Sequence, residues 1–133
     1  MRFMVLMIPG GYLPASELPP DLVGKMMKYN DELMKAGVLL SLDGLHPPEK
    51  GARIRFSGGK PTVKDGPFTE SKEVLGGYWM IQVKSKAEAI EWAKRVPAQP
   101  DDIVEVRQVQ EMADFTPEIQ DLVPPDMQKL GKK

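Results

Sequence analysis

The order of patterns along the sequence predicts an α+β fold. Two apolar runs of strand length, residues 3–8 and 78–83, indicate strands that are buried on both faces. Each run is followed by a segment with the three-to-four-residue apolar spacing of an amphipathic helix, and then by a further strand. The resulting order, β-α-β, a hairpin, then β-α-β, is the ferredoxin-like βαββαβ plan with an inserted hairpin. It predicts an antiparallel sheet with two helices on one face.

The first strand, residues 3–8, is followed by a helix. Pro19 and Pro20 favour the start of this helix, and Asp21 places a carboxylate in its first turn. Gly37 is predicted to end the helix in the left-handed conformation. The predicted buried stripe of the helix consists of Leu22, Val23, Met26, Met27, Leu33 and Met34.

Residues 38–42 are predicted to form the second strand, and a hairpin follows the next loop. Apolar residues and arginines alternate over residues 52–57, and the Gly-Gly pair at 58–59 is typical of a two-residue hairpin turn. Pro61 indicates that the return strand lies at an edge. The Asp-Gly-Pro sequence at 65–67 predicts the next turn.

The second half of the chain repeats the strand–helix–strand order. A Gly-Gly pair at 76–77 precedes the apolar strand and indicates a bulge, or a close backbone approach to a ligand or a partner subunit. Ser85 and Glu88 have the spacing of a capping box. Residues 103–109 alternate and predict the last strand. The predicted buried stripe of the second helix consists of Ala89, Ile90, Ala93 and Val96.

Composition excludes several classes of function. The 133 residues suit one domain, and 18 basic against 19 acidic side chains give a net charge of -1, which does not favour nucleic acid. The chain has no cysteine and one histidine, which argues against disulfides, a thiol nucleophile and a zinc site. Nucleotide-binding glycine motifs are absent, so no cofactor is expected. The first apolar run is too short for a signal peptide or a membrane span, and we expect a soluble, cytoplasmic protein.

The second face of the predicted sheet needs a covering layer. The strands predicted at residues 3–8 and 78–83 are apolar at nearly every position, and a second copy of the chain is the simplest source of that layer. We therefore predict a homodimer whose sheets pack face to face. Residues 1–115 are predicted to form the domain, and residues 116–133 a tail on the domain or the partner subunit. Its apolar residues Ile119, Leu122 and Val123 would cover the dimer seam.

A longer motif identifies a family resemblance. The segment DGPFTESKEVLGGYWMIQV, with GLHPPEKGARIRF before it and EAIEWAKRVP and VEVRQV after it, resembles the YCII-related proteins of the DGPF branch. The resemblance covers roughly residues 1–115. It implies a dimeric α+β barrel with a pocket between the sheet and its loops. Most members of this branch have no known function, and some occur beside or fused to extracytoplasmic-function sigma factors. Related branches include lyases, isomerases and monooxygenases of aromatic or cyclic molecules.

His46 and Asp65 are the candidate catalytic residues. Imidazole titrates near neutral pH and can act as an acid or a base, although a loop histidine beside two prolines is also typical of a plain surface loop. The Asp65 carboxylate could orient His46 or serve as a general base, but turn formation alone also explains an Asp-Gly-Pro sequence. The family resemblance implies a His-Asp pair in the pocket and includes this aspartate.

Five further residues are candidates for ligand binding. Arg53 could hold an anion, Phe68 could form a pocket wall and Glu73 could point into the pocket, although exposed charges and core packing explain them equally well. Tyr78 and Trp79 alternate on a strand, so one should face the helices and the other the dimer cavity.

Two functions therefore stay open. The first is a cofactor-free acid–base enzyme of the lyase or isomerase type, acting on a cyclic or aromatic molecule. The second is a non-catalytic small-molecule-binding or regulatory accessory protein, linked to sigma-factor-dependent transcription. A hydrogen-bonded His46–Asp65 pair in a concave pocket would favour the enzyme, and two exposed, separate side chains would favour binding.

Overall fold

The computed structural model describes residues 1–66 and 74–130. In chain order the strands are β1 (Arg2–Ile8), β2 (Leu39–Gly44), β3 (Ala52–Ser57), β4 (Lys60–Asp65), β5 (Gly77–Gln82) and β6 (Ile103–Gln108). The helices are α1 (Pro20–Lys35), α2 (Lys86–Ala93), α3 (Pro117–Gln120) and α4 (Pro125–Gln128). Short 3₁₀ turns span Ala15–Glu17, Pro48–Lys50 and Met112–Asp114.

Four of the strands form one antiparallel sheet. Its order is β2-β5-β1-β6, and every neighbouring pair runs antiparallel. Strands β3 and β4 form a separate two-stranded hairpin outside that sheet. The α+β class and the antiparallel sheet are thus confirmed, and the strand order is compatible with the ferredoxin-like plan. No helix within the two described ranges is long and apolar enough to cross a bilayer.

The hydrophobic core lies between one face of the sheet and helices α1 and α2. Alternate residues of β1 and β5 point into it, and the Phe3, Val5 and Ile81 side chains are at most 1% exposed. Leu33 from α1 and Ala89 from α2 complete the same cluster. The strand alternation therefore gives the sheet one face that packs against the helices and one that does not.

The predicted stripe of α1 is partly wrong. The helix does begin at Pro20, with Pro19 as its N-cap, and Gly37 has the expected positive φ of 73°. Leu33 is buried as predicted, but the other fully buried residue of the helix is Tyr29, which is not part of the predicted stripe. Val23, Met27 and Met34 are 36%, 56% and 66% exposed. At 3.6 residues per turn these three residues form the stripe next to the buried one, on the solvent side.

One of the two hydrogen bonds of the capping box predicted for α2 is present. The Ser85 hydroxyl accepts a hydrogen bond from the Glu88 N–H at 3.1 Å. The Glu88 carboxylate accepts from the Lys84 N–H at 3.0 Å, one residue earlier than the capping box requires. Ile90, predicted to be buried, is 36% exposed, whereas Ala89 is fully buried.

Tyr29 makes the stability of the fold depend on pH in the alkaline range. Its side chain is 3% exposed, and the hydroxyl donates a hydrogen bond to the Trp92 carbonyl oxygen at 2.8 Å. Burial raises the pKa of Tyr29 from its ordinary 10.0 to about 12, with smaller opposing effects of Arg95 and Glu32. The folded protein holds this proton more tightly than the unfolded chain. The stability from Tyr29 is therefore complete below about pH 10 and is lost as the pH rises towards about 12.

We expect the free energy of unfolding to fall by about 2–3 kcal/mol across that window because of Tyr29. Urea unfolding between about pH 9 and 12 measures the fall. Tyr29→Phe is the matched control, since it keeps the ring and removes the titrating hydroxyl, so its fall should be smaller by that amount. An equal fall in both proteins would contradict the assignment to Tyr29.

Candidate functional site

The sheet face opposite the helices, called here the open face, carries the candidate site. Strand register places Leu6 between Tyr78 and Glu105 on this face, and Met4 opposite Met80. All five side chains are half-buried. Polar residues stand along the edges of the face: Ser41 and Asp43 on β2 and Arg107 on β6. The open face thus has an apolar centre and polar margins.

Tyr78 and Trp79 point to opposite sides of the sheet, as predicted from strand alternation. The Tyr78 hydroxyl lies on the open face and donates to the Asp43 Oδ2 at 3.0 Å. The Trp79 ring is 7% exposed and lies in the core, 5.3 Å from the Tyr29 ring in an edge-to-face arrangement. Its indole N–H donates to the Asn30 Oδ1 at 2.7 Å. The polar group of Trp79 is therefore used inside the fold, while that of Tyr78 faces outward.

A hollow of about 470 Å³ lies at one end of the open face. Arg2 and Gln82, which pair across β1 and β5, line it from the sheet. Leu40 from β2 and the chain from Glu111 to Ala113 form its sides, and Met1 and Met112 are among the lining side chains. The lining is therefore part apolar and part polar.

An ion pair closes one side of this hollow. Arg2 Nη2 lies 2.6 Å from Glu111 Oε1, and Arg2 Nε lies 3.0 Å from Glu111 Oε2. The Arg2 side chain is only 14% exposed, and its hydrogen bond to Glu111 raises the pKa of the guanidinium further. Such a bidentate pair fixes the position of both groups. It anchors residues 111–113 against the start of β1.

His46 and Asp65 lie in two segments that touch each other. The Gly66 N–H donates to the Gly51 carbonyl oxygen at 3.0 Å, and a Cβ atom at Gly66 would overlap the Pro48 carbonyl. Both candidate side chains are exposed. No hydrogen bond or ion pair joins the two within the described part of the chain.

The structure describes three of the five predicted ligand-binding residues. Arg53 lies on the hairpin, directly opposite Lys64 and outside the four-stranded sheet. Phe68 and Glu73 fall outside the described residues. Among the predicted ligand-binding residues that the structure describes, Tyr78 is the one on the open face.

The Gly76–Gly77 pair makes a close approach to the chain itself. A Cβ at Gly76 would lie 2.6 Å from Cγ of Pro9, and one at Gly77 would lie 2.8 Å from the Asp43 carbonyl oxygen. The Gly76 N–H also donates to the Met7 carbonyl oxygen at 2.8 Å. A close approach is therefore present at this pair, but it is to the chain's own backbone and the Pro9 ring, and not to the ligand or partner subunit considered in the sequence analysis.

Sequence reasoning missed Arg2, Asp43 and Glu111. Asp43 occupies an alternate position after an apolar strand, a signal that could have placed it beside Tyr78 on one face. Arg2 and Glu111 are 109 residues apart and carry no local pattern. Only the pairing of β6 with β1 brings them together.

The fold and the open face define a class of protein: a small α+β domain with a candidate ligand-binding surface on one sheet. The chain belongs to the YCII-related family, whose domain matches residues 1–113. It is also 38% identical over 74 residues to an uncharacterised protein of Rhizobium meliloti (strain 1021). That match covers 56% of each chain, so it spans about half the length of this curated relative.

Proposed function

We propose that this protein is a cytoplasmic homodimer of the DGPF branch that binds a cyclic or aromatic small molecule on its open face. The observation that carries the proposal is the hollow of about 470 Å³ between Arg2, Leu40 and residues 111–113. Its volume falls within the range of small-molecule sites, roughly 300–1,000 Å³. A second sheet packed over the open face would close the hollow from above.

The centre of the open face supports the dimer. Met4, Leu6 and Met80 lie next to one another there, and an apolar sheet face gains stability when another layer removes it from water. Two identical faces related by a two-fold axis supply such layers to each other. The polar margins would then remain near solvent.

The side chains in and beside the hollow favour a flat, apolar ligand. Met1 and Met112 line it, and Met4 and Met80 follow on the same face. Methionine side chains adapt their shape and make favourable sulfur contacts with aromatic rings. The Gln82 amide is available to orient a polar substituent of the ligand.

Binding is favoured over catalysis because His46 and Asp65 are exposed and no hydrogen bond or ion pair joins them in the described part of the chain. Acid–base catalysis is the second candidate, and the contact of Gly66 with Pro48 supports it, since that contact holds the two loops together. A substrate bound between these loops would meet both groups. A binding protein of this kind could also serve the sigma-factor-linked regulation that the family resemblance implies.

Titration with the fluorescent probe 1-anilinonaphthalene-8-sulfonate tests the binding proposal. We expect saturable binding with enhanced fluorescence, and competition by small aromatic acids such as benzoate. Leu40→Trp should fill the hollow and weaken probe binding on the order of tenfold, because the indole occupies the space of the ligand.

Met34→Trp is the matched control, since it adds the same side chain on α1 where Met34 is 66% exposed. It should leave the probe affinity unchanged. Equal affinity of the probe for the Leu40→Trp protein and the wild type would show that the hollow is not the site.

A further inference from the structure

We infer that the hairpin of each chain packs its apolar face against the C-terminal segment of a second copy. The C-terminal segment is defined as residues 116–128, which include α3 and α4. The inference rests on the homodimer proposed above. It adds a second contact that interlocks the two copies outside their sheets.

The hairpin presents an uncovered apolar face. Ile54 pairs with Val63, and Phe56 pairs with Pro61, so these four side chains share one face of the ribbon. Ile54, Phe56 and Val63 are 54%, 75% and 62% exposed, and every residue of β3 and β4 is exposed. A two-stranded ribbon is at best marginally stable alone in water. Another surface is therefore needed to cover this face.

The C-terminal segment also has apolar side chains that nothing covers in the described part of the chain. Ile119, Leu122 and Met127 are 44%, 79% and 58% exposed. Its charged residues are Glu118, Asp121 and Asp126, and it contains no lysine or arginine. The segment is thus apolar and acidic.

The hairpin is apolar and basic. Residues 52–65 carry four cations, Arg53, Arg55, Lys60 and Lys64, against the single carboxylate of Asp65. The cations stand on the side of the ribbon away from Phe56. The ribbon is only two strands wide, and long basic side chains reach past such an edge while their stems cover apolar surface. The two surfaces therefore match in apolar character, and the two segments carry opposite net charge.

Topology favours the partner's segment over the chain's own. The hairpin follows Gly44, which pairs with Gly77 at one end of the sheet. The C-terminal segment follows residues 111–113, which are fixed by Arg2 at the opposite end. A two-fold axis that crosses the strands reverses the two ends when sheets pack face to face. It would bring the C-terminal segment of one copy to the hairpin end of the other.

Cross-linking between two differently tagged chains tests this contact. The chain has no cysteine, so a thiol placed at one position is the only reactive one. A Phe56→Cys chain and a Leu122→Cys chain are co-expressed, purified through both tags and treated with a short bismaleimide. We expect a covalent product that contains one of each chain. The control pairs Met34→Cys with Leu122→Cys, because Met34 is 66% exposed on α1, comparable to Phe56.

The outcomes separate this contact from the dimer itself. A yield several-fold above that of the control pair supports the inference. A yield equal to the control, while the protein sediments as a dimer, overturns the inference and leaves the dimer standing. A chain that carries both Phe56→Cys and Leu122→Cys serves as a further test. If it cross-links only within itself, the inference is also overturned, because the hairpin would then contact the C-terminal segment of its own chain. Sedimentation as a monomer overturns both proposals.

Discussion

Replacement of Trp79 by alanine should lower the free energy of unfolding by about 3–5 kcal/mol. The ring is 7% exposed, packs edge-to-face on Tyr29 and donates to Asn30 at 2.7 Å. Truncation removes the buried area, leaves a cavity and deprives the Asn30 side chain of its partner. Because small domains are stable by only about 5–15 kcal/mol, the variant should be near the limit of folding at room temperature.

Urea unfolding at equal protein concentration measures this loss. Tyr78→Phe is the paired control on the neighbouring residue. It keeps the ring on the open face and removes only the hydrogen bond to Asp43, so its cost should be about 1 kcal/mol or less. Comparable losses in the two variants would contradict the assignment of Trp79 to the core and of Tyr78 to the open face.

The strands were predictable because their signal is local and strong. The apolar runs at 3–8 and 78–83 correspond to β1 and β5, the two central strands of the sheet. The hairpin turn was equally clear, since Gly58 and Gly59 have φ values of 59° and 78° that other residues rarely adopt. Element boundaries shifted by one or two residues, as at β2, which begins at Leu39.

The buried face of each helix was harder to predict, because hydropathy alone does not show which of two neighbouring apolar stripes packs against the sheet. Met27 and Met34 are as apolar as the residues that pack in the core, yet they face solvent. Tyr29 is buried because its ring meets Trp79 and its hydroxyl finds the Trp92 carbonyl oxygen. These partners come from other elements of the fold. The burial of a tyrosine in a helix therefore cannot be predicted from the local sequence.

Only the part of the candidate site that lies on a single strand could be predicted from the sequence. Alternation placed Tyr78 and Trp79 on opposite faces, which the structure confirms. The hollow depends on Arg2 and Glu111, which meet through the pairing of distant strands and a turn beyond β6. No spacing rule connects residues that far apart. His46 and Asp65 were selected by the chemistry of their side chains, and both side chains are exposed in the structure.

Replacement of Leu6 by lysine should convert the proposed dimer into a folded monomer. Leu6 lies at the centre of the open face, next to Tyr78 on β5 and Glu105 on β6. In a monomer the new ammonium group can reach solvent or pair with Glu105, so the fold should tolerate it.

Face-to-face packing of two such sheets would bury both lysines near the two-fold axis. Removing these charges from water costs several kcal/mol unless each is fully paired, and about 2.8 kcal/mol already weakens dimerisation roughly a hundredfold. Sedimentation equilibrium over a range of micromolar concentrations should therefore show the Leu6→Lys protein as a monomer. Met27→Lys places the same charge on α1, where Met27 is 56% exposed, and should sediment like the wild type. Dimerisation of the Leu6→Lys protein at wild-type strength would mean that the open face is not the interface between copies.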